Sequence, residues 1–252
     1  MIPAYSISKP FLAQAVLELG LPLDSTIGEH LPNLAPVYAS RRLDQLLNHT
    51  SGLADYSALP DYNRAVENLE PAWPATELLA RAESLNHNQP SFQYSNIGYL
   101  LLLQLVEAKT GLAYFAALNR LVFEPLGIQG VAEWSQPHDS IPDYDPGWVY
   151  SGTFLAAPAE LASNLVRLAK HREGTIGLAT GGASVPYANT GFDYPTYGFG
   201  FMMDTSADRK TVNFVGHGGG GPGFQLFALV NTRTWQADIR VENEPFDQTE
   251  AI

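Results

Sequence analysis

The stretch Tyr5-Ser6-Ile7-Ser8-Lys9-Pro10-Phe11-Leu12-Ala13-Gln14-Ala15-Val16-Leu17-Glu18-Leu19 decides how the rest of the chain is read. Phe11, Leu12, Ala15, Val16 and Leu19 recur at helical spacing, and Gly20 followed by Pro22 stops the pattern. Pro10 is tolerated only in a first helical turn, where its missing N–H has no partner to lose, so the helix starts just before it. That start places Ser6 and Lys9 at an exposed helix end. Residues three apart on a helix share a face, so the Ser6 hydroxyl and the Lys9 amine aim into one space. A serine hydroxyl is a weak nucleophile until a base takes its proton, and a desolvated lysine is neutral enough to act as that base. The pattern is short, and taken alone it is better explained by a solvated first-turn lysine, so its weight depends on what accompanies it.

Two further elements accompany it. Tyr94-Ser95-Asn96 stands directly before the strongest helical pattern in the chain, Ile97, Leu100, Leu101, Gln104, Leu105 and Ala108, which ends at Lys109 and Gly111. The phenol offers a second proton relay, and the Asn96 amide can hold a substrate carbonyl or the lysine. The third element is His217-Gly218-Gly219-Gly220-Gly221, between a β-prone run ending at Val215 and another beginning at Phe224. Glycines let backbone N–H groups approach a ligand closely, as an oxyanion hole requires, although a flexible hairpin with a surface histidine has the same appearance. Lys109-Thr110-Gly111 imitates part of the set and is better read as a helix C-terminus. Tyr187-Ala188-Asn189 repeats the tyrosine pattern in a loop without a strong helix behind it.

Outward from these motifs, Leu43, Leu46 and Leu47 mark a short helix ended by His49-Thr50-Ser51-Gly52, and another helix begins at about Pro158. Residues 54–90, with Pro60, Pro71 and Pro74, resist ordering. After Gly174 the texture changes to β-prone runs at 197–203, 211–215, 224–231 and 237–241, which read as an antiparallel meander. The expectation is an α+β chain forming one catalytic domain over 1–252, with a helical part at about 5–175 and a sheet part at about 195–241.

Composition narrows the function classes. With 14 basic and 26 acidic residues the chain carries a net charge of −12, which opposes nucleic acids and anionic membranes as partners. The absence of cysteine removes thiol nucleophiles, disulfides and thiolate metal sites. The six histidines are scattered without a helical His-x-x-x-His pair, so no metal and no cofactor is expected. No apolar run approaches the roughly 20 residues of a membrane helix. Met1–Tyr5 has neither the basic start nor the apolar core of a signal peptide, and the localisation stays unassigned. The aromatics Tyr56, Tyr62, Trp73, Trp134, Tyr144, Trp148 and Tyr150 are read as core filling unless they face a cleft.

The order Ser-x-x-Lys, Tyr-x-Asn, His-x-Gly resembles the serine β-lactamase and penicillin-binding-protein superfamily. Its Tyr-Ser-Asn resembles the branch holding class C β-lactamases, D-aminopeptidases, DD-carboxypeptidases and family VIII esterases, and the likeness covers 5–31, 43–55, 92–127 and 197–231. The resemblance implies a helical region packed on an antiparallel sheet, with Ser6 acylated and Lys9 and Tyr94 moving its proton. It implies substrate contacts from Asn96, His217, Gly219 and Gly220, with the N–H groups of Ser6 and Gly220 as the oxyanion hole. His217 stands where class C β-lactamases usually carry lysine, which favours small esters and D-amino-acid amides over β-lactams as substrates. Relatives usually place two strands before the Ser-x-x-Lys helix and a helix after the last strand. This chain shows neither in its pattern, so a homo-oligomer covering an open sheet edge is expected. The other reading is a catalytically silent, penicillin-binding-like ligand-binding or sensor protein.

Overall fold

A computed structural model describes residues 1–86, 89–175 and 191–243. The chain enters on β1 (Ile2–Pro3), turns through a 3-10 segment at Tyr5–Ser8 and continues as α1 (Lys9–Glu18). Pro10 is the second residue of α1, as its missing N–H requires. Every residue from Lys9 to Val16 is buried, so α1 is an axis wrapped on all sides. The exposed helix end expected from sequence is therefore incorrect for Lys9, which is 0% exposed, whereas Ser6 is half-buried. Later segments, far away in sequence, close over the start of the helix.

Those segments are α2 (Pro36–Ala39), α3 (Leu43–Leu47), α4 (Pro60–Glu67), α5 (Ala75–Ala82), α6 (Asn96–Thr110) and α7 (Tyr114–Leu118). A π turn at Asn119–Phe123 leads into α8 (Glu124–Leu126), and after β2 (Val131–Ala132) and β3 (Leu155–Ala156) comes α9 (Pro158–His171). Helix α6 packs on both α1 and α3. Its ends follow from local chemistry: the Ser95 side chain accepts from the Gly98 N–H at 3.3 Å, and Gly111 closes the helix at φ 69°. Among the described residues no single helix is long and apolar enough to cross a membrane.

The sheet region is β4 (Pro195–Tyr197), β5 (Met202–Thr205), β6 (Val212–Gly221), β7 (Phe224–Asn231) and β8 (Ala237–Asn243), an antiparallel meander in sequence order. Strand β7 alternates as a half-covered strand must, with Phe224, Leu226, Ala228 and Val230 buried and Gln225, Phe227, Leu229 and Asn231 more open. Helix α9 lies across β7 and β8. A second, three-stranded sheet has the order β1-β3-β2 and pairs Ile2 with Ala156. The architecture is thus mixed helix and antiparallel sheet.

Two strand expectations change. The run 197–203 divides into β4 and β5, because Gly200 at φ +81° turns the chain where any Cβ would meet the Lys9 carbonyl oxygen at 2.8 Å. The glycines 218–221 belong to β6 itself, paired with β7 through Gly221↔Phe224. Strand β5 pairs with β6 only as far as Gly216, so the section from His217 onward runs past the end of β5 and alongside the turn Tyr5–Ser8. Of the seven aromatics read as core filling, Tyr56, Trp134, Tyr144, Trp148 and Tyr150 are buried, whereas Tyr62 and Trp73 are only half-buried and pack against the core.

Candidate active site

The site forms where the turn Tyr5–Ser8 meets β6. Tyr5 adopts φ 45°, a left-handed conformation that costs a non-glycine residue about 1–2 kcal/mol. It is held there at both ends of its side chain: the hydroxyl donates to the Pro222 carbonyl at 2.6 Å, and the ring packs edge-on against Trp134. The sharp bend turns the chain from β1 into the 3-10 segment carrying Ser6. Glycine is required opposite this turn. A Cβ on Gly219 would lie 2.7 Å from the Ala4 carbonyl oxygen, and one on Gly221 would enter the Tyr5 ring.

Around Ser6 the sequence-separated groups converge. Lys9 Nζ lies 2.7 Å from Ser6 Oγ, 2.6 Å from Asn96 Oδ1 and 3.3 Å from Ser151 Oγ. The Tyr94 hydroxyl donates to Ser6 Oγ at 2.9 Å. Ser6, Tyr94 and Asn96 are half-buried and form the open side, while Lys9 and His217 form a fully buried floor. Asn96 is held from behind by Asp55, whose Oδ2 accepts its backbone N–H at 2.6 Å.

Burial sets the protonation states. Desolvation lowers the Lys9 pKa to about 7 against the opposing attraction of Asp55, which leaves an amine able to accept a proton near neutrality. Burial pushes the Tyr94 phenol well above its ordinary value, so it holds its proton. Desolvation, reinforced by the nearby Lys9, lowers His217 to about 3, and the imidazole is neutral throughout the working range. Its Nδ1 faces the Gly218 carbonyl and therefore carries the hydrogen, so Nε2 is the acceptor for the Tyr197 hydroxyl at 2.9 Å.

Sequence reasoning left three neighbours unnamed as site residues. His49, 1% exposed, accepts the Ser95 N–H at Nδ1, and its ring packs at a tilt 4.3 Å from the Tyr94 ring, fixing the segment that delivers Tyr94. Tyr197 holds His217, and Ser151 touches Lys9. The His49-Thr50-Ser51-Gly52 run is visible in the sequence as a helix end and as part of the likeness over 43–55, but neither reading gives His49 a role in the site. Ser151 and Tyr197 gave no local signal. Tyr187-Ala188-Asn189 lies outside the described residues. Among the described residues no group of three or more His, Asp or Glu side chains is gathered in a way that would hold a metal ion.

A helical body on an antiparallel sheet, with serine, lysine and tyrosine meeting beside a glycine strand, is the arrangement of the β-lactamase fold. Residues 1–235 match the β-lactamase family, and the chain belongs to it. Penicillin-binding protein 4* of Bacillus subtilis is 26% identical over 89% of this chain and 56% of its own length. A D-aminopeptidase of Cereibacter sphaeroides is 27% identical over 89% of this chain and 46% of its own length. The chain thus spans about half the length of the curated relatives it matches. Among solved structures, the D-amino acid amidase of Ochrobactrum anthropi SV3 superposes with a TM-score of 0.69 at 20% identity, over 98% of this chain and 78% of its own. The octameric penicillin-binding protein homologue of Pyrococcus abyssi gives 0.73 at 21% identity, over 95% of this chain and 61% of its own. At these identities the structural likeness is one of fold.

Proposed function

We propose that the chain is a serine hydrolase that forms an acyl-enzyme on Ser6 and acts on small D-amino-acid amides, D-peptides or esters. The observation that carries this reading is the position of Ser6 Oγ between Lys9 Nζ at 2.7 Å and the Tyr94 hydroxyl at 2.9 Å. As Ser6 Oγ attacks the substrate carbonyl, its proton passes to neutral Lys9. The developing oxyanion is received by the backbone N–H groups of Ser6 and Gly220, with Asn96 orienting the substrate amide and Gly219 allowing the strand to stand close. Collapse breaks the bond to the leaving amine or alkoxide, which takes the Tyr94 hydroxyl proton. Water then attacks the acyl carbon and returns a proton to the Tyr94 oxygen, while Ser6 Oγ departs with the proton held on Lys9. The balance is one water consumed, with acid and amine or alcohol released.

Substrate class follows from charge. A neutral, fully buried His217 supplies no permanent cation for a carboxylate beside the scissile bond, so amides and esters are favoured over β-lactams, whose hydrolysis is expected to be weak. D-aminopeptidase and D-amino acid amidase are among the relatives, which supports an amide.

For assembly, we propose that a second copy covers the outer edge of β8. Antiparallel pairing centred on Ile239 sets Asp238 opposite the second copy's Arg240 in both directions, so the edge complements itself in charge.

The functional test is a hydrolysis screen of p-nitrophenyl esters, D-alanyl amides and nitrocefin with wild type and Ser6→Ala. The reading requires ester or amide turnover that disappears in the variant. Turnover surviving in Ser6→Ala, or none by the folded wild type, rejects it.

A further inference from the structure

A buried lysine acting as a base has one lone pair, and that lone pair must face the nucleophile rather than some other hydroxyl. Two N–H bonds of the neutral amine therefore need acceptors elsewhere, since a buried donor left unpaired is destabilising. Lys9 Nζ has three neighbours within hydrogen-bond distance: Ser6 Oγ, Asn96 Oδ1 and Ser151 Oγ.

We propose that Ser151 is a positioning residue for the Ser6–Lys9 pair: its hydroxyl oxygen and the Asn96 carbonyl take the two N–H bonds of neutral Lys9, leaving the lone pair to Ser6. This rests on the hydrolase reading above and extends it to a residue no motif contains. The directions follow in sequence. Tyr94 O–H donates to Ser6 Oγ, so the hydroxyl hydrogen of Ser6 is directed to Lys9 Nζ. Asn96 Oδ1 can only accept, which uses one N–H of the amine. The other N–H goes to Ser151 Oγ. When Lys9 takes the Ser6 proton, the same three neighbours accept the three hydrogens of the ammonium, and no group has to move.

The placement of Ser151 is built in. It is 2% exposed, and the next residue is pinned from two sides. Ser8 Oγ donates to the Gly152 carbonyl at 2.6 Å, tying this loop to the turn that carries Ser6. Gly152 has φ +79°, and a Cβ there would lie 2.7 Å from the Tyr114 ring and 2.8 Å from Leu103. The loop is thus pressed against α6 and α7 where only glycine fits, and the Ser151 hydroxyl has little freedom to leave Lys9. Other groups facing Lys9 do not change charge in its range. His49 and His217 are held neutral by burial, and Tyr94 and Tyr99 keep their protons. Attraction from Asp55 favours the ammonium and opposes the effect of burial on Lys9.

The test reads Lys9 directly. The chain has four lysines, so in protein labelled at lysine Cε the Lys9 resonance is assigned by its loss in Lys9→Met, and its pH titration is followed by NMR. Ser151 Oγ binds the ammonium more strongly than the amine, so Ser151→Ala is expected to lower the Lys9 midpoint by roughly half to one pH unit. The acidic limb of kcat/KM should move with it, and the plateau rate should fall about tenfold as the lone pair loses its orientation. Ser151→Thr keeps the hydroxyl and should restore the wild-type midpoint. A plateau that falls while midpoint and limb stay fixed would show a merely structural serine and overturn the proposal, as would an upward shift. A lowered midpoint in a protein that turns over no substrate would uphold the hydrogen-bond assignment and defeat the hydrolase reading alone.

Discussion

Gly219→Ala isolates the close approach of β6 to the nucleophile turn. The added Cβ would stand 2.7 Å from the Ala4 carbonyl oxygen, 3.2 Å from Ile7 Cγ1 and 3.4 Å from the Ile7 nitrogen. Two of these atoms are backbone in the segment that positions Ser6, so the strand must retreat by about 0.7–0.8 Å to restore ordinary contact near 3.4–3.5 Å. Overpacking of this kind costs about 1–3 kcal/mol of stability. The larger effect falls on chemistry, because losing the alignment of one oxyanion donor lowers kcat by about 10²–10³-fold. Gly218→Ala is the control: its Cβ would stand 3.5 Å from Phe227 Cδ2, an ordinary contact, and the strand need not move. The expected result is a hundredfold or greater loss of kcat for Gly219→Ala and a change within about threefold for Gly218→Ala. Both are read as initial rates on a p-nitrophenyl ester, with thermal melts to confirm folding. Equal rates for Gly219→Ala and wild type, or equal losses in the two variants, would refute the reasoning.

Further expectations follow from the same geometry. Tyr94→Phe removes the hydroxyl 2.9 Å from Ser6 while keeping the ring against His49, so kcat should fall about 10²–10⁴-fold with KM within a few-fold; steady-state kinetics check this, and an unchanged kcat would remove Tyr94 from the proton path. Lys9 has a folded pKa of about 7, below its unfolded value, so between pH 7 and 10 the unfolded chain binds the extra proton and stability rises with pH. Urea midpoints should climb across that window in wild type and much less in Lys9→Met, and parallel slopes would contradict the burial of an amine. For His217 the sign works in acid: a pKa of about 3 means the unfolded chain gains a proton first as pH falls through the usual histidine range. Stability is therefore lost from about pH 6.5 downward, and His217→Gln should flatten that loss in the same urea experiment. At the sheet edge, Arg240→Asp places like charges opposite each other in the β8 pairing, so sedimentation velocity should show a dimer for wild type and a monomer for the variant; a dimer indifferent to the change would place the contact elsewhere.

Much of the helical framework was legible because its signals are local. Pro10 located the start of α1, the apolar face from Ile97 to Ala108 located α6, and Gly111 marked its C-terminal end. Within 54–90 the prolines were themselves the missed signal, since Pro60 opens α4 and Pro74 caps α5, the positions where proline costs a helix least. The glycine run was misread because local propensity disfavours glycine in strands, while the Tyr5 ring and the Ala4 carbonyl leave no room for a side chain in β6. For the candidate site, Ser6 and Lys9 were legible from their spacing, and Tyr94, Asn96 and His217 from their motifs. The burial of Lys9 was not, because the groups that cover it come from 49–55, 94–99, 151 and 217. Ser151 is separated from Lys9 by 142 positions and follows no periodic pattern, so only the fold could bring it forward.

Hydrolysis through an acyl-enzyme requires Ser6 to become covalently acylated, and intact-protein mass spectrometry reads that event directly. Wild type and Ser6→Ala are mixed briefly with an activated ester and with a fluorophosphonate, quenched in acid and weighed. The account predicts a mass increase of one acyl or phosphonyl group in wild type, mapped to the peptide containing Ser6, and none in the variant. A folded wild type that stays at its native mass with both reagents, or an adduct that persists in Ser6→Ala, would contradict it.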